Sequence, residues 1–194
     1  MITIISITII LLSSIAFSLL YIMSLQPATL SLRIGDKAYK ICGIFRMSAM
    51  LFEMATVAGY VLFVFGEYYT VKVASQNDIL VRIIGIVITV LTLGFMFIGV
   101  FAAGKEAALP SKETKLYKGI YMYMRHPQTL GEILSWFGIS LILNSLTLLL
   151  YSLVWIPLFL SYTILEDNDL SVRFGPDYIE YTKKVGIFWK KQIR

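Results

Sequence analysis

The sequence predicts an all-α integral membrane protein with five membrane-embedded helices, the last two forming a hairpin. Three observations carry that prediction. Of the 194 residues, 58% are hydrophobic and only 15% charged, with a mean hydropathy of +0.77. Soluble domains carry about 45–50% apolar and about 25% charged residues. Apolar blocks of roughly 20 residues recur along the chain, the length a helix needs to cross a bilayer core. Finally, the Lys and Arg residues fall almost entirely on one side of the resulting layout.

The first block runs from about Thr3 to Leu25. No charge appears from Ile2 to Leu32. Such a run is too long for a signal-peptide core, and neither a basic leading region nor a small-residue cleavage site accompanies it. It therefore reads as a retained span, stopped by Pro27 in "QPATL". The second span covers about Ile44 to Gly66 and contains Glu53. The third covers about Ile79 to Phe101, with Arg82 near its start. A polar stretch from Ala102 to His126 follows. The last apolar block, about Pro127 to Leu165, is too long for one helix and short for two full spans. Asn144-Ser145 near its middle reads as a tight turn, giving a helical hairpin that dips through the bilayer, with Pro157 kinking its second arm. Residues 1–101 thus hold three N-terminal spans. Residues 102–194 form a catalytic, cofactor-binding region with the hairpin and a cytoplasmic tail, all in one structural unit.

Placing the N-terminus outside puts 15 of the 17 Lys and Arg residues inside and leaves only Lys72 and Arg82 outside. That bias predicts an N-out, C-in topology. Both long polar segments then face the cytoplasm, and Arg82 snorkels to the outer interface. The lack of a retention signal favours a prokaryotic plasma membrane. One His and one Cys exclude an internal disulfide and a metal cage, and Cys42 reads as a small apolar filler near a helix start. The net charge of +5 follows the membrane topology, so neither nucleic acid nor a metal is an expected partner. Glu53, a functional candidate as a charge inside a span, falls on one helix face with Arg46, seven residues away; it is expected to pair with Arg46 or with another helix, the alternative being a substrate contact.

Function is sought at the single histidine, in "YMYMRHPQTLG" (residues 121–131). Proline disfavours the helical region for the residue before it and is welcome at the first helical position. His126 is therefore the expected N-cap and Pro127 the first turn of the fourth helix. The free N–H groups at Gln128 and Thr129, beside Arg125, make an anion site; the plainer alternative is that Arg125 and His126 only mark the membrane interface. The tail, "LEDNDLSVRFGPDYIEYTKKVGIF", puts Glu166, Asp167 and Asp169 at the end of the fifth helix. There they oppose the helix dipole and require cation partners. Gly175 terminates that helix. Pro176 starts a short amphipathic helix with Tyr178, Tyr181 and Val185 on one face, and that helix also suits a surface anchor.

The blocks "KLYKGIYMYMRHPQTLG" and "EDNDLSVRFGPDYIEY" together resemble the isoprenylcysteine carboxyl methyltransferase family, within a broader group that includes phospholipid N-methyltransferases. Gly119, Tyr121, Arg125, His126, Pro127 and Gly131 match the first part of the family pattern. Glu166, Asp167, Leu170, Phe174, Gly175, Tyr178 and Tyr181 match the second. The resemblance covers roughly the last 90 residues. It implies S-adenosyl-L-methionine as methyl donor, bound on the cytoplasmic side by Glu113, Thr114, Lys115, Leu116, Tyr121, Arg125, His126, Pro127, Gln128, Thr129 and Glu166. It also implies a prenylated cysteine acceptor entering from the bilayer.

The chain departs from that pattern at two positions. Tyr162 stands where the eukaryotic enzymes place an arginine four residues before the acid, and Thr129 stands where they favour an aromatic. Arg173 is the nearest guanidinium left in the tail to position the acceptor carboxylate. Methylating an ionised carboxylate needs no base, so His126 is expected to orient the donor; an amine acceptor would need a proton acceptor, His126 or Glu166. Phospholipid N-methylation is accordingly the main alternative, followed by a sterol-reductase-like NADPH enzyme and a non-enzymatic scaffold.

Overall fold

The computed structural model of the protein describes residues 2–66, 71–73, 76–112 and 118–191. The elements are α1 (Ile2–Ser24), α2 (Pro27–Ile34), α3 (Lys37–Phe65), α4 (Asp78–Ala103), α5 (Pro127–Ile142), α6 (Leu146–Tyr151), α7 (Trp155–Phe174) and α8 (Pro176–Lys184). Helices dominate the described residues because the apolar blocks satisfy their own backbone groups only in that form.

Small residues set the pairing of the long helices. Between α4 and α5, a Cβ added at Gly138 would lie 2.4 Å from Thr89 Oγ1 and 2.9 Å from Thr89 N. One added at Gly131 would lie 2.7 Å from Met96 Cβ and from the Thr92 carbonyl oxygen. The two backbones therefore touch, as apolar helices lacking a hydrophobic drive between them tend to do. Between α1 and α3, Gly59 admits Ile10, the Ser13 and Thr56 hydroxyls hydrogen-bond at 2.8 Å, and Thr3 Oγ1 donates to the Gly66 carbonyl at 3.0 Å. Aromatic side chains fill the centre. Trp136 of α5 stacks on Trp155 of α7, centroids 4.8 Å apart, and Trp155 Nε1 donates to the Tyr60 hydroxyl of α3 at 3.3 Å. The outer faces expose Ile4, Leu51 and Ile79, each over 70% accessible. Apolar surface on that scale is suited to lipid.

Four helical runs are long and apolar enough to cross a membrane: Ile2–Ser24, Lys37–Phe65, Asp78–Ala107 and Leu146–Phe174. α5 has 16 residues, about 24 Å at 1.5 Å per residue, which is short of a full core. It is one arm of a hairpin. Asn144 turns the chain with φ 48°, its amide donates to Asp78, and the Ser145 hydroxyl accepts from Leu148 N at 3.3 Å to cap α6. The second arm passes through a 3-10 turn at Ser152–Val154 just ahead of Pro157, which has no N–H to return to Leu153.

Other expectations are corrected. Pro27 ends α1 but also opens α2, as the first-turn proline of a new helix. α3 begins at Lys37, not near Ile44, because nothing between Lys37 and Ile44 breaks a helix once its first turns project past the apolar block. Arg82 does not snorkel alone. It donates to Asp78 at 3.1 Å and to the Ile142 carbonyl at 2.7 Å, closing the end of α5. Cys42 is a buried filler, as expected. The end of α1, the end of α4 and its following 3-10 turn (Gly104–Ala107), the start of α5 and the end of α7 all meet at one cavity. The long helices therefore alternate in direction.

Candidate active site

The corner at His126 forms as expected, with Pro127 in the first turn of α5 and His126 at φ −127° as its cap. The last residues of the described chain hold it from outside. Arg125 N and His126 N donate to the Ile187 carbonyl, each at 3.1 Å, and Arg125 Nη1 donates to that of Val185 at 3.4 Å. Gly175, with φ 57°, turns the chain from α7 into α8. That turn brings Tyr178, Tyr181 and Val185 inward: the Tyr178 hydroxyl donates to Asp167, and the Tyr181 hydroxyl donates to the Tyr121 carbonyl at 2.6 Å. The apolar face of α8 thus packs on the protein itself.

The acids at the end of α7 find the partners their position requires. Arg125 Nη2 lies 2.9 Å from Asp167 Oδ2. The imidazole of His126, only 4% exposed, bridges Asp167 Oδ1 through Nε2 at 2.8 Å and Glu166 Oε2 through Nδ1 at 3.3 Å. Burial by itself would favour the neutral ring, but hydrogen bonds to the two carboxylates and their charge outweigh it and raise the His126 pKa to about 9. The ring is an imidazolium that donates from both nitrogens, so it cannot take a proton near neutral pH. Burial also pushes the Tyr121 and Tyr178 phenols well above their ordinary range, with Glu166 adding to the first and Asp167 to the second. Both remain neutral. Asp169 makes a long-range cap, accepting from Ala28 N at 3.1 Å and Thr29 N at 2.7 Å. A carboxylate so placed meets the positive end of the α2 dipole.

These groups wall a cavity that opens to solvent. Tyr121, Arg125, His126, Pro127, Gln128, Thr129, Glu166 and Arg173 all line it. Gln128 reaches back to the Tyr121 hydroxyl at 3.1 Å, which in turn donates to the Gly99 carbonyl at 3.3 Å. Glu113, Thr114, Lys115 and Leu116 lie outside the described residues. Arg173 is already engaged: its Nη1 lies 2.5 Å from Glu106 Oε1, with both side chains almost wholly buried, and its guanidinium lies 4.6 Å from the centroid of the Phe174 ring.

Sequence reasoning missed three contributors. Glu106 holds Arg173 across 67 positions and accepts from Ser111 N at 2.8 Å, and no local pattern signals that. Arg46 lines the cavity and is bound to backbone carbonyls, not to Glu53. Its signal was a charge at the edge of an apolar block. Glu132, inside the fourth apolar helix, carried the same signal; its carboxylate lies within Coulombic reach of Glu53 and Glu166. Among the described residues no group of His, Cys, Asp and Glu is placed to hold a metal ion.

A family model described as phospholipid methyltransferase matches residues 79–177, slightly more than half of the 194 residues. The chain belongs to that family. The matched segment runs from α4 through the corner and the hairpin to the start of α8, so it contains both blocks that wall the cavity. The chain is also similar to a protein-S-isoprenylcysteine O-methyltransferase of Saccharomyces cerevisiae. They share 29% identity over 138 residues, 70% of this chain and 48% of the relative. The resemblance read from the two C-terminal blocks therefore holds. The chain spans about half the length of the curated relative it matches. No solved structure matches it.

Proposed function

We propose that the protein is an S-adenosyl-L-methionine-dependent methyltransferase that esterifies the carboxylate of an isoprenylcysteine or a similar prenylated acceptor. In this reading the five helical arms embed in the membrane with the N-terminus outside and the cavity at the cytoplasmic face, where the basic residues gather. One observation carries the reading. Two sequence blocks, Arg125–Thr129 and Glu166–Arg173, lie on separate helices and wall the same cavity. Its floor is continuous with helices whose outer faces are apolar, which suits a polar donor above and a lipid-modified acceptor alongside.

The donor fits the groups present: the unpaired guanidinium of Arg46 and the first-turn N–H groups of α5 suit its carboxylate, and Glu166 and neutral Tyr121 suit its cationic and ribosyl parts. When bound, S-adenosyl-L-methionine supplies a methyl group on a sulfonium leaving group. The chain's own residues align the reactants and exclude water. His126, held as an imidazolium, fixes the position of Glu166 and Asp167. A carboxylate acceptor is already ionised, so a site whose histidine cannot accept a proton suits that reaction.

The decisive assay offers radiolabelled S-adenosyl-L-methionine with N-acetyl-S-farnesylcysteine or phosphatidylethanolamine. Base-labile methyl ester on the prenylcysteine is the expected product, and label in the lipid amine alone would reject the reading. The demethylated donor should raise the melting temperature in detergent, whereas NADPH should not. Replacing His126 by Ala should weaken donor binding about tenfold or more, since it leaves two buried carboxylates unpaired. The second reading, N-methylation of a lipid amine, is favoured by the Glu53 and Glu132 carboxylates, on α3 and α5, lying within Coulombic reach of each other. An acidic pair of that kind suits an amine and its departing proton.

A further inference from the structure

Charge accounting around the cavity leaves one group over. Its cationic side chains are Arg46, Arg125, His126 and Arg173. Arg125 is paired with Asp167, His126 with Asp167 and Glu166, and Arg173 with Glu106. The acids lining the cavity are engaged as well: Glu166 by His126, Glu106 by Arg173 and Ser111 N, and Asp169 by the first turn of α2.

Arg46 differs. It is 6% exposed, and no carboxylate among the described residues lies within ion-pair distance of it. Its Nη1 donates to the Glu106 and Ala107 carbonyls at 3.1 and 3.4 Å, and its Nη2 to the Ser24 carbonyl at 3.3 Å. Nε has no partner. The carbonyls come from the end of α1 and the 3-10 turn after α4, so they fix the guanidinium in place without cancelling its formal charge. In the cavity, the Glu166 carboxylate feels that charge without pairing with it. A buried cation compensated only at that distance is costly, and a planar guanidinium with a free N–H edge matches a carboxylate. Arg173 offers no such vacancy, because recruiting it would strand the buried Glu106 carboxylate.

We propose that Arg46, not Arg173, holds a ligand carboxylate in this cavity. The assignment rests on the methyltransferase reading above, in which two carboxylates are available: that of the prenylated acceptor and that of the donor's amino acid moiety. If Arg46 were only a staple between α1 and the 3-10 turn, its replacement would lower the melting temperature and leave ligand selectivity alone.

The full-length protein in detergent, with Arg46→Gln and Arg46→Lys, separates these cases through four binding measurements. The probes are N-acetyl-S-farnesylcysteine and its carboxamide, and S-adenosylhomocysteine and its decarboxylated analogue. Arg46→Gln should weaken one carboxylate ligand by about tenfold or more, while its carboxylate-free counterpart binds wild type and variant equally. Arg46→Lys, which keeps the charge but loses the planar fork, should fall between, and it carries the test if the Gln variant does not fold. A loss confined to the farnesyl pair assigns the acceptor carboxylate; one confined to the nucleoside pair assigns that of the donor. Unchanged affinity for all four ligands in the folded variants would overturn the assignment. Ester formation is scored separately. Its absence from wild type with the affinity pattern intact would defeat the carboxyl-methylation reading alone, and its presence with unaltered affinities would defeat the Arg46 assignment alone.

Discussion

At one end of the bundle, Arg82 pairs with Asp78 and closes α5, with both side chains over a third exposed. At the other end, Arg125, His126 and Arg173 pair with Asp167, Glu166 and Glu106, and the three cationic side chains are at most 10% exposed. The groups are chemically alike, but their surroundings differ. Water competes for an exposed pair and leaves it worth little. In the buried network each charge depends on its partner, and removing one strands the rest. The first end fastens a turn. The second specifies the shape and charge of a cavity.

Asp167→Ala tests this contrast most severely. It leaves Arg125 and His126 short of a buried counter-ion, so stability should fall by about 3–5 kcal/mol, read as a drop in melting temperature in detergent. A small effect would mean that water already reaches the network.

The second test is pH. The His126 pKa is raised in the fold from 6.5 to about 9, so the imidazolium's contribution is fully present below about pH 6.5. It is lost as pH rises through 9, on the order of 3 kcal/mol in all. A melting profile flat from pH 6 to 10, or one unaltered by His126→Gln, would contradict the doubly paired ring.

The apolar middle offers a third. Gly138→Val must push α5 away from Thr89, an overpacking that should cost about 1–3 kcal/mol. The smallest effect belongs to the exposed end, where Asp78→Ala should leave the melting temperature close to wild type. If it rivalled Asp167→Ala, the contrast between the ends would disappear.

Hydropathy and local chemistry already announced much of this architecture. Apolar blocks of bilayer length, the proline corner at His126, the glycine stop at Gly175 and the turn at Asn144 are short-range features, each settled by backbone sterics or hydrogen bonding within a few residues. At three places a distant partner or a packing surface added what local sequence does not show. Pro27 opens a helix whose first turn is capped by Asp169, 140 positions beyond Thr29. Arg46 passes over Glu53, two turns along its own helix, for carbonyls at the ends of two other elements. α8, amphipathic enough for a lipid surface, turns its tyrosines onto Asp167 and Tyr121.

By itself, then, the sequence determined that the chain is helical and apolar and that its polar chemistry clusters around residues 119–131 and 166–181, since composition and periodicity are local properties. Only the tertiary structure decided which acid meets which base. Several arginines and carboxylates are equivalent by type, and helix packing alone selects their partners. That selection leaves Arg46 as the cavity's cation without a carboxylate.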